Sequence, residues 1–143
     1  MNSFPEKTQE ILKDRFGHDT LIALATVNGD IPNVRTVNGY YEDGKFYIIT
    51  YAKSDKMNQI RANPNVAVSG EWFSAHGKGI DLGWFCKDEN RVIAEKLQKI
   101  FKEWIGNGHN DFDDENTVIL CILLTDGVLF SNGTRYDLDF TGR

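Results

Sequence analysis

The sequence predicts a mainly β protein with accessory helices, an antiparallel sheet curled into a barrel. Three observations carry that expectation. Strand-like runs outnumber helix-like ones, tight-turn signals join most of them, and helices do not alternate with strands as a doubly wound domain requires.

Each element has its own local signal. Ser3-Phe4-Pro5-Glu6 resembles a capping box, with Ser3 as N-cap and Glu6 three residues on. Phe4, Ile11, Leu12 and Phe16 then suggest a helix with one apolar face, ending at Gly17. Leu21 to Val27 reads as an apolar strand, and Asn28-Gly29-Asp30 as a hairpin turn. In the return strand, Asn33 to Tyr41, the set Val34, Thr36, Asn38 and Tyr40 alternates with Arg35, Val37 and Gly39. Glu42-Asp43-Gly44 turns the chain into a strand from Lys45 to Tyr51. A short helix around Lys56 to Ala62 follows, stopped by Asn63-Pro64-Asn65.

Val66 to Phe73 and Lys78 to Phe85 read as two further strands. The longest helix is predicted from Asp88, a fair N-cap, to Trp104, because Val92, Ile93, Leu97, Ile100, Phe101 and Trp104 recur at helical spacing. Gly106 to Asn116 is a polar loop. A final hairpin is expected from Thr117 to Leu124 and Val128 to Ser131, turning at Thr125-Asp126-Gly127. With no repeat or linker in 143 residues, one domain spanning residues 1–143 is expected.

Composition removes several function classes. Net charge is −5 and the basic residues are dispersed without interleaved aromatics, so nucleic acid is not an expected partner. No apolar run is long enough to cross a bilayer, and the start of the chain lacks the basic and apolar regions of a signal peptide. No membrane association and a cytoplasmic location are therefore expected. Cys86 and Cys121 form no CxxC pair, and Cys121, inside VILCILL, reads as a buried thiol. His18, His76 and His109 lack ligand spacing, and the acidic loop Asp111 to Glu115 lacks the EF-hand pattern, so no metal site is expected. Gly77 to Gly83 gives GxGxxxG with a strand after it instead of a helix, which excludes a dinucleotide fingerprint. No nucleophile elbow is present.

The stretch from Phe46 to Val68 holds the chemistry. Thr50, Ser54 and Lys56 sit where a strand gives way to a helix. The first turn of a helix carries free N–H groups and the positive end of the dipole. Two hydroxyls and an ammonium there suit a phosphate. The same residues also fit an ordinary N-cap and a solvated lysine.

The run strand–Thr50–xxx–Ser54–x–Lys56–xx–Gln59–Ile60–xx–Asn63–Pro64–x–Val66 resembles the pyridoxamine 5′-phosphate oxidase-like family of FMN-binding split β-barrels. Ala25-Thr26-Val27, Asn33 to Val37, the Gly83 strand and Lys102-Glu103-Trp104-Ile105 extend the resemblance over nearly the whole chain, most like the short general-stress-protein branch. It implies a Greek-key split barrel and a homodimer with FMN sites at the subunit interface. It also implies that Arg35 and Lys56 grip the FMN phosphate, with Thr50 and Ser54 as hydroxyl partners and Gln59 in the motif. The backbone of Thr36, Val37 and Asn38 would line the isoalloxazine edge. Lys78 falls where some members place a Gln near the pyrimidine edge of the flavin. Phe130, Arg135 and Trp104 are candidates to complete the site from a partner subunit.

Three departures narrow the function. Asp55 stands where many members carry a second basic residue, and Tyr40 where the vitamin-converting oxidases carry a Lys. Arg135-Tyr136-Asp137 replaces their Arg-x-His, so oxidation of pyridoxamine phosphate is not expected. The resemblance implies an FMN-dependent oxidoreductase of small, flat substrates, with NAD(P)H as donor. The alternatives are a non-catalytic flavin carrier or sensor in a stress response, or a split barrel holding haem or a deazaflavin.

Overall fold

The computed structural model describes residues 6–108 and 110–142. The elements in chain order are α1 (Glu6–Phe16), β1 (Thr20–Asn28), β2 (Ile31–Glu42), β3 (Lys45–Tyr51), α2 (Asp55–Ala62), β4 (Asn65–Gly70), β5 (Phe73–Trp84), α3 (Arg91–Ile100), β6 (Thr117–Ser131) and β7 (Thr134–Asp139). The strands pair in the order β3-β2-β1-β4-β5-β6-β7, and β3 also pairs with β6. That second pairing closes six strands into an antiparallel barrel with β7 appended. The order β3-β2-β1-β4 is a Greek key. The expected capping box at Ser3 lies outside the described residues.

Alternation along each strand fills the barrel. Ile22, Leu24, Phe46, Ile48, Val66, Val68, Phe73, Ala75, Leu120 and Ile122 point inward and are buried. Each large apolar side chain buried this way contributes roughly 1.5–3 kcal/mol. The helices plug the two ends. Phe16 of α1 packs against Phe46 and Phe73, with ring centroids 5.8 and 5.2 Å away. Met57 and Ile60 of α2 enter the other end. A second apolar cluster lies outside the barrel, where Ala94, Leu97 and Phe101 cover Ile119 and the partly buried Tyr47 and Ile49.

Tight turns set the register of the first hairpins. Asn28 pairs with Ile31 and leaves Gly29-Asp30 as the loop. Glu42 pairs with Lys45, and Asp43 and Gly44 between them both have positive φ, 49° and 80°, as a type I′ turn needs.

Three expectations need correction. β5 starts at Phe73 and not at Lys78, because Gly70 pairs with Phe73 across the turn Glu71-Trp72. α3 ends at Ile100, short of Trp104. Beyond it, the N–H groups of Trp104 and Ile105 both return to the carbonyl of Phe101. These tightened turns bring Phe101, Trp104 and Ile105 onto the one apolar cluster.

The third correction concerns the C-terminal hairpin. Thr125-Asp126-Gly127 is no turn: β6 runs unbroken to Ser131, and the turn is Asn132-Gly133, leading to β7. Gly77 pairs with Leu124 and His76 with Asp126, so Thr125 is the extra residue of a bulge. Gly127 serves close approach, since a Cβ there would stand 2.8 Å from the Ser74 carbonyl oxygen.

Candidate functional site

The end of the barrel plugged by α2 is where polar groups gather. β1–β2 pairing runs from Thr20–Gly39 to Asn28–Ile31, whereas β2–β3 pairing covers only Tyr40–Tyr47 to Glu42–Lys45. The two strands therefore part, and no strand pairs with the other edge of Ile31–Gly39 among the described residues. Alternate residues of an antiparallel strand turn both backbone groups to the same side. Half of the N–H and C=O groups along Thr36, Val37 and Asn38 thus face the split.

Arg35 points into this end of the barrel. Its Nη1 donates to the Leu24 carbonyl at 3.1 Å and to Thr26 Oγ1 at 2.8 Å, and its Nη2 reaches Gln59 Oε1 at 3.4 Å. Thr26 Oγ1 in turn donates to Gln59 Oε1 at 2.5 Å. Lys56, one turn earlier on α2, donates from Nζ to Thr50 Oγ1 at 2.7 Å. Burial and the neighbouring Arg35 guanidinium both push the Lys56 pKa down. Burial lowers that of Arg35, opposed by the field of Asp55. Among the described residues neither cation is in an ion pair.

Ser54 sits at the N-cap position with extended backbone, φ −69° and ψ 159°, yet its side chain makes no cap hydrogen bond. Its Oγ is buried and has no hydrogen-bond partner among the described residues. A hydroxyl left in that state costs about 1–3 kcal/mol. The ordinary N-cap role is therefore not what this serine performs. Two adjacent cations without counter-ions, an orphaned hydroxyl and a free first helical turn are the kind of donors an anion requires.

Asp55 is exposed and shares a polar groove of about 450 Å³ with Asn58, Gln59, Asn28 and Gly29. Its carboxylate thus lies to the side of the cluster and acts on Arg35 through its field.

The structure joins Arg35 to Gln59 and Lys56 to Thr50, and puts Ser54 at the N-cap of α2, two residues before Lys56. Thr36 is exposed on the outer face, and Val37 packs on the barrel core. Asn38 Nδ2 donates to Asp19 Oδ1 at 2.9 Å. Lys78 stays apart: it is exposed and donates to Asn65 on the outer face of β4. Thr26 is a site residue to which sequence pattern assigns no role. It is 1% exposed although polar, and a threonine among apolar strand residues is the signal that marks it.

A split barrel with two cations and an orphaned hydroxyl around its crossover helix defines the class. Residues 4–120 match the family described as Pyridoxamine 5′-phosphate oxidase, and the chain belongs to that family. No curated protein matches it. Among solved structures, it is similar to General Stress Protein 26 from Bacillus anthracis, at 20% identity and a TM-score of 0.69, over 92% of this chain and 98% of that one. A NimC/NimA family protein from Clostridium acetobutylicum aligns at 21% identity and a TM-score of 0.64, over 93% and 94% of the two chains. A FAD-binding protein from Mesorhizobium loti aligns at 16% identity and a TM-score of 0.66, over 82% and 90%.

Proposed function

We propose that the chain is a flavin-dependent oxidoreductase that holds FMN with the phosphate at Ser54, Lys56, Arg35 and Thr50. The observation that carries this reading is the buried Ser54 Oγ, unpartnered among the described residues, at the N-cap of the helix whose Lys56 neighbours Arg35. A phosphate oxygen accepts from the hydroxyl, the ammonium and the guanidinium together, and relieves the repulsion between the cations. The residues present therefore fit the phosphate of a flavin nucleotide. Similarity to the FAD-binding protein of Mesorhizobium loti supports a flavin as the group held.

When bound, the flavin would supply the hydride and electron chemistry. The chain's own residues bind and orient it. Arg35 is held in place by Thr26 and Gln59, so its fork is set before the ligand arrives. The backbone of Thr36 to Asn38 offers donors and acceptors to the polar edge of a flat ring. The outer face around Ala23, Ala25, Val34, Ala67 and Val128 suits a second copy of the chain, giving a homodimer. Substrates would be small and flat, with NAD(P)H as donor.

The test is the visible spectrum of the purified protein after addition of FMN. Flavin bands bleached by NAD(P)H and restored by air support the oxidoreductase. Bands that NAD(P)H leaves unchanged point to a carrier or sensor, and failure to take up FMN would falsify the reading.

A further inference from the structure

We propose that Trp104 walls the ring end of the flavin site of its own chain, and not of a partner subunit as the sequence suggests, and that Asp19 is the positioning residue that holds it there. This rests on the flavin reading above. The Asp19 carboxylate has two partners: Oδ1 accepts from Asn38 Nδ2 at 2.9 Å, and Oδ2 accepts from the Trp104 indole Nε1 at 3.0 Å. An indole has one polar donor, so this single charge-assisted bond fixes the plane of the ring. Asn38 lies at the end of the β2 edge that β3 leaves unpaired. One carboxylate therefore spaces the indole from that edge.

The other end of the same segment points to the same site. Past Trp104 the chain is tied down where Trp84 Nε1 donates to the Phe112 carbonyl at 2.8 Å. It reaches the phosphate end where the Ala52 N–H donates to the Asn116 carbonyl at 2.6 Å. Ala52 lies between Thr50 and Ser54. The connection from α3 to β6 is thus anchored beside both the ring edge and the phosphate cradle. Trp104, its ring tilted by 34° against the buried Phe101 with centroids 4.9 Å apart, is the aromatic surface of that connection.

An indole close to a flavin quenches its fluorescence by electron transfer, and that gives a readout independent of turnover. The full-length protein is loaded with FMN, its affinity measured, and the fluorescence lifetime of the bound flavin compared among the parent, Trp104→Phe and Asp19→Ala. Trp104→Phe is expected to lengthen the lifetime severalfold while FMN still binds. Asp19→Ala, which releases the indole, is expected to lengthen it less and to spread it over several components. A parent-like lifetime in FMN-loaded Trp104→Phe overturns the proposal. If that variant does not fold, a parent-like lifetime in Asp19→Ala overturns it. A parent that binds no FMN is seen before any variant is compared, and there the flavin reading itself fails and takes this inference with it.

Discussion

Thr26 and Arg35 meet through one bond, the Arg35 Nη1 donating to Thr26 Oγ1 at 2.8 Å inside the α2 end of the barrel. The same hydroxyl donates to Gln59 Oε1, so β1, β2 and α2 are joined at a single oxygen. Thr26→Val keeps the shape and removes that oxygen. The variant is expected to lose about 1–3 kcal/mol of stability in urea unfolding, because buried polar groups lose a partner. FMN titration should show weaker binding as Arg35 loosens, and Thr26→Ser should restore both.

Lys56→Ala and Arg35→Ala each remove one charged phosphate contact, worth roughly 1.5–3 kcal/mol. Each is expected to weaken FMN by about tenfold or more in equilibrium titration. The apoprotein should respond differently. Removing Lys56 relieves a partly buried cation that Arg35 repels, so its thermal midpoint should hold or rise. Parent-like FMN affinity in both variants would place the phosphate elsewhere.

Asp55 acts on Arg35 through its field, and in the proposed site it would oppose the phosphate. Its side chain is exposed, so the effect is modest. Asp55→Asn is expected to tighten FMN by about two- to fivefold, within the ~0.2–1 kcal/mol of exposed charge pairs, and less so at high salt. The same change removes a carboxylate from the first turn of α2, at a cost of roughly 0.3–1 kcal/mol in stability. Affinity and stability should therefore move in opposite directions.

Gly79 is small because α2 lies against it. A Cβ at that position would stand 2.8 Å from Cγ2 of the buried Ile60. Gly79→Ala is expected to push α2 outward, at about 1–3 kcal/mol in denaturant unfolding. Since α2 carries Lys56 and Gln59, FMN affinity should fall with it. Gly79→Ala with parent stability and affinity would show that α2 is not set by this contact.

Alkaline pH should unfold the protein through its tyrosines. Burial first pushes Tyr40 and Tyr47 up to about 12, helped by Glu42 at Tyr40 and by Cys121 and then Glu42 at Tyr47, and burial alone does most of the same for Tyr41. In the unfolded chain a tyrosine ionises near 10. Between those values the unfolded state binds fewer protons than the folded one, so stability is intact below about pH 10 and falls as pH rises toward about 12. Tyrosinate absorbance from these rings should appear together with loss of circular dichroism. Tyr41→Phe should shrink the slope, and ionisation of Tyr41 near its unfolded value of about 10 in the folded state would contradict the account.

The hairpins and the strand–helix–strand unit from Lys45 to Gly70 were legible because their signals are local: Asn-Gly and Asp-Gly turns, strict alternation, an Asn-Pro stop. The β6–β7 turn departs from its sequence signal for a tertiary reason. Thr125-Asp126-Gly127 has turn chemistry, but β5 runs alongside and absorbs Thr125 as a bulge, and Asn132-Gly133 makes the turn. Pattern and family resemblance single out Arg35, Thr50, Ser54 and Lys56, the residues the proposed phosphate site uses. They do not single out Thr26 and Asp19, because what these two do depends on residues from 9 to 85 positions away in the chain.

The parting of β2 from β3 has a consequence for how the protein is handled. A row of backbone groups along Ile31–Gly39 without a strand partner among the described residues is a template for another chain's strand, and Pro32 near its start, lacking an N–H, interrupts only one point of it. A bound flavin would cover that row. Aggregation during purification or storage should then track the fraction of chains stripped of cofactor, and added FMN should act as a solubilising agent before it acts as anything else.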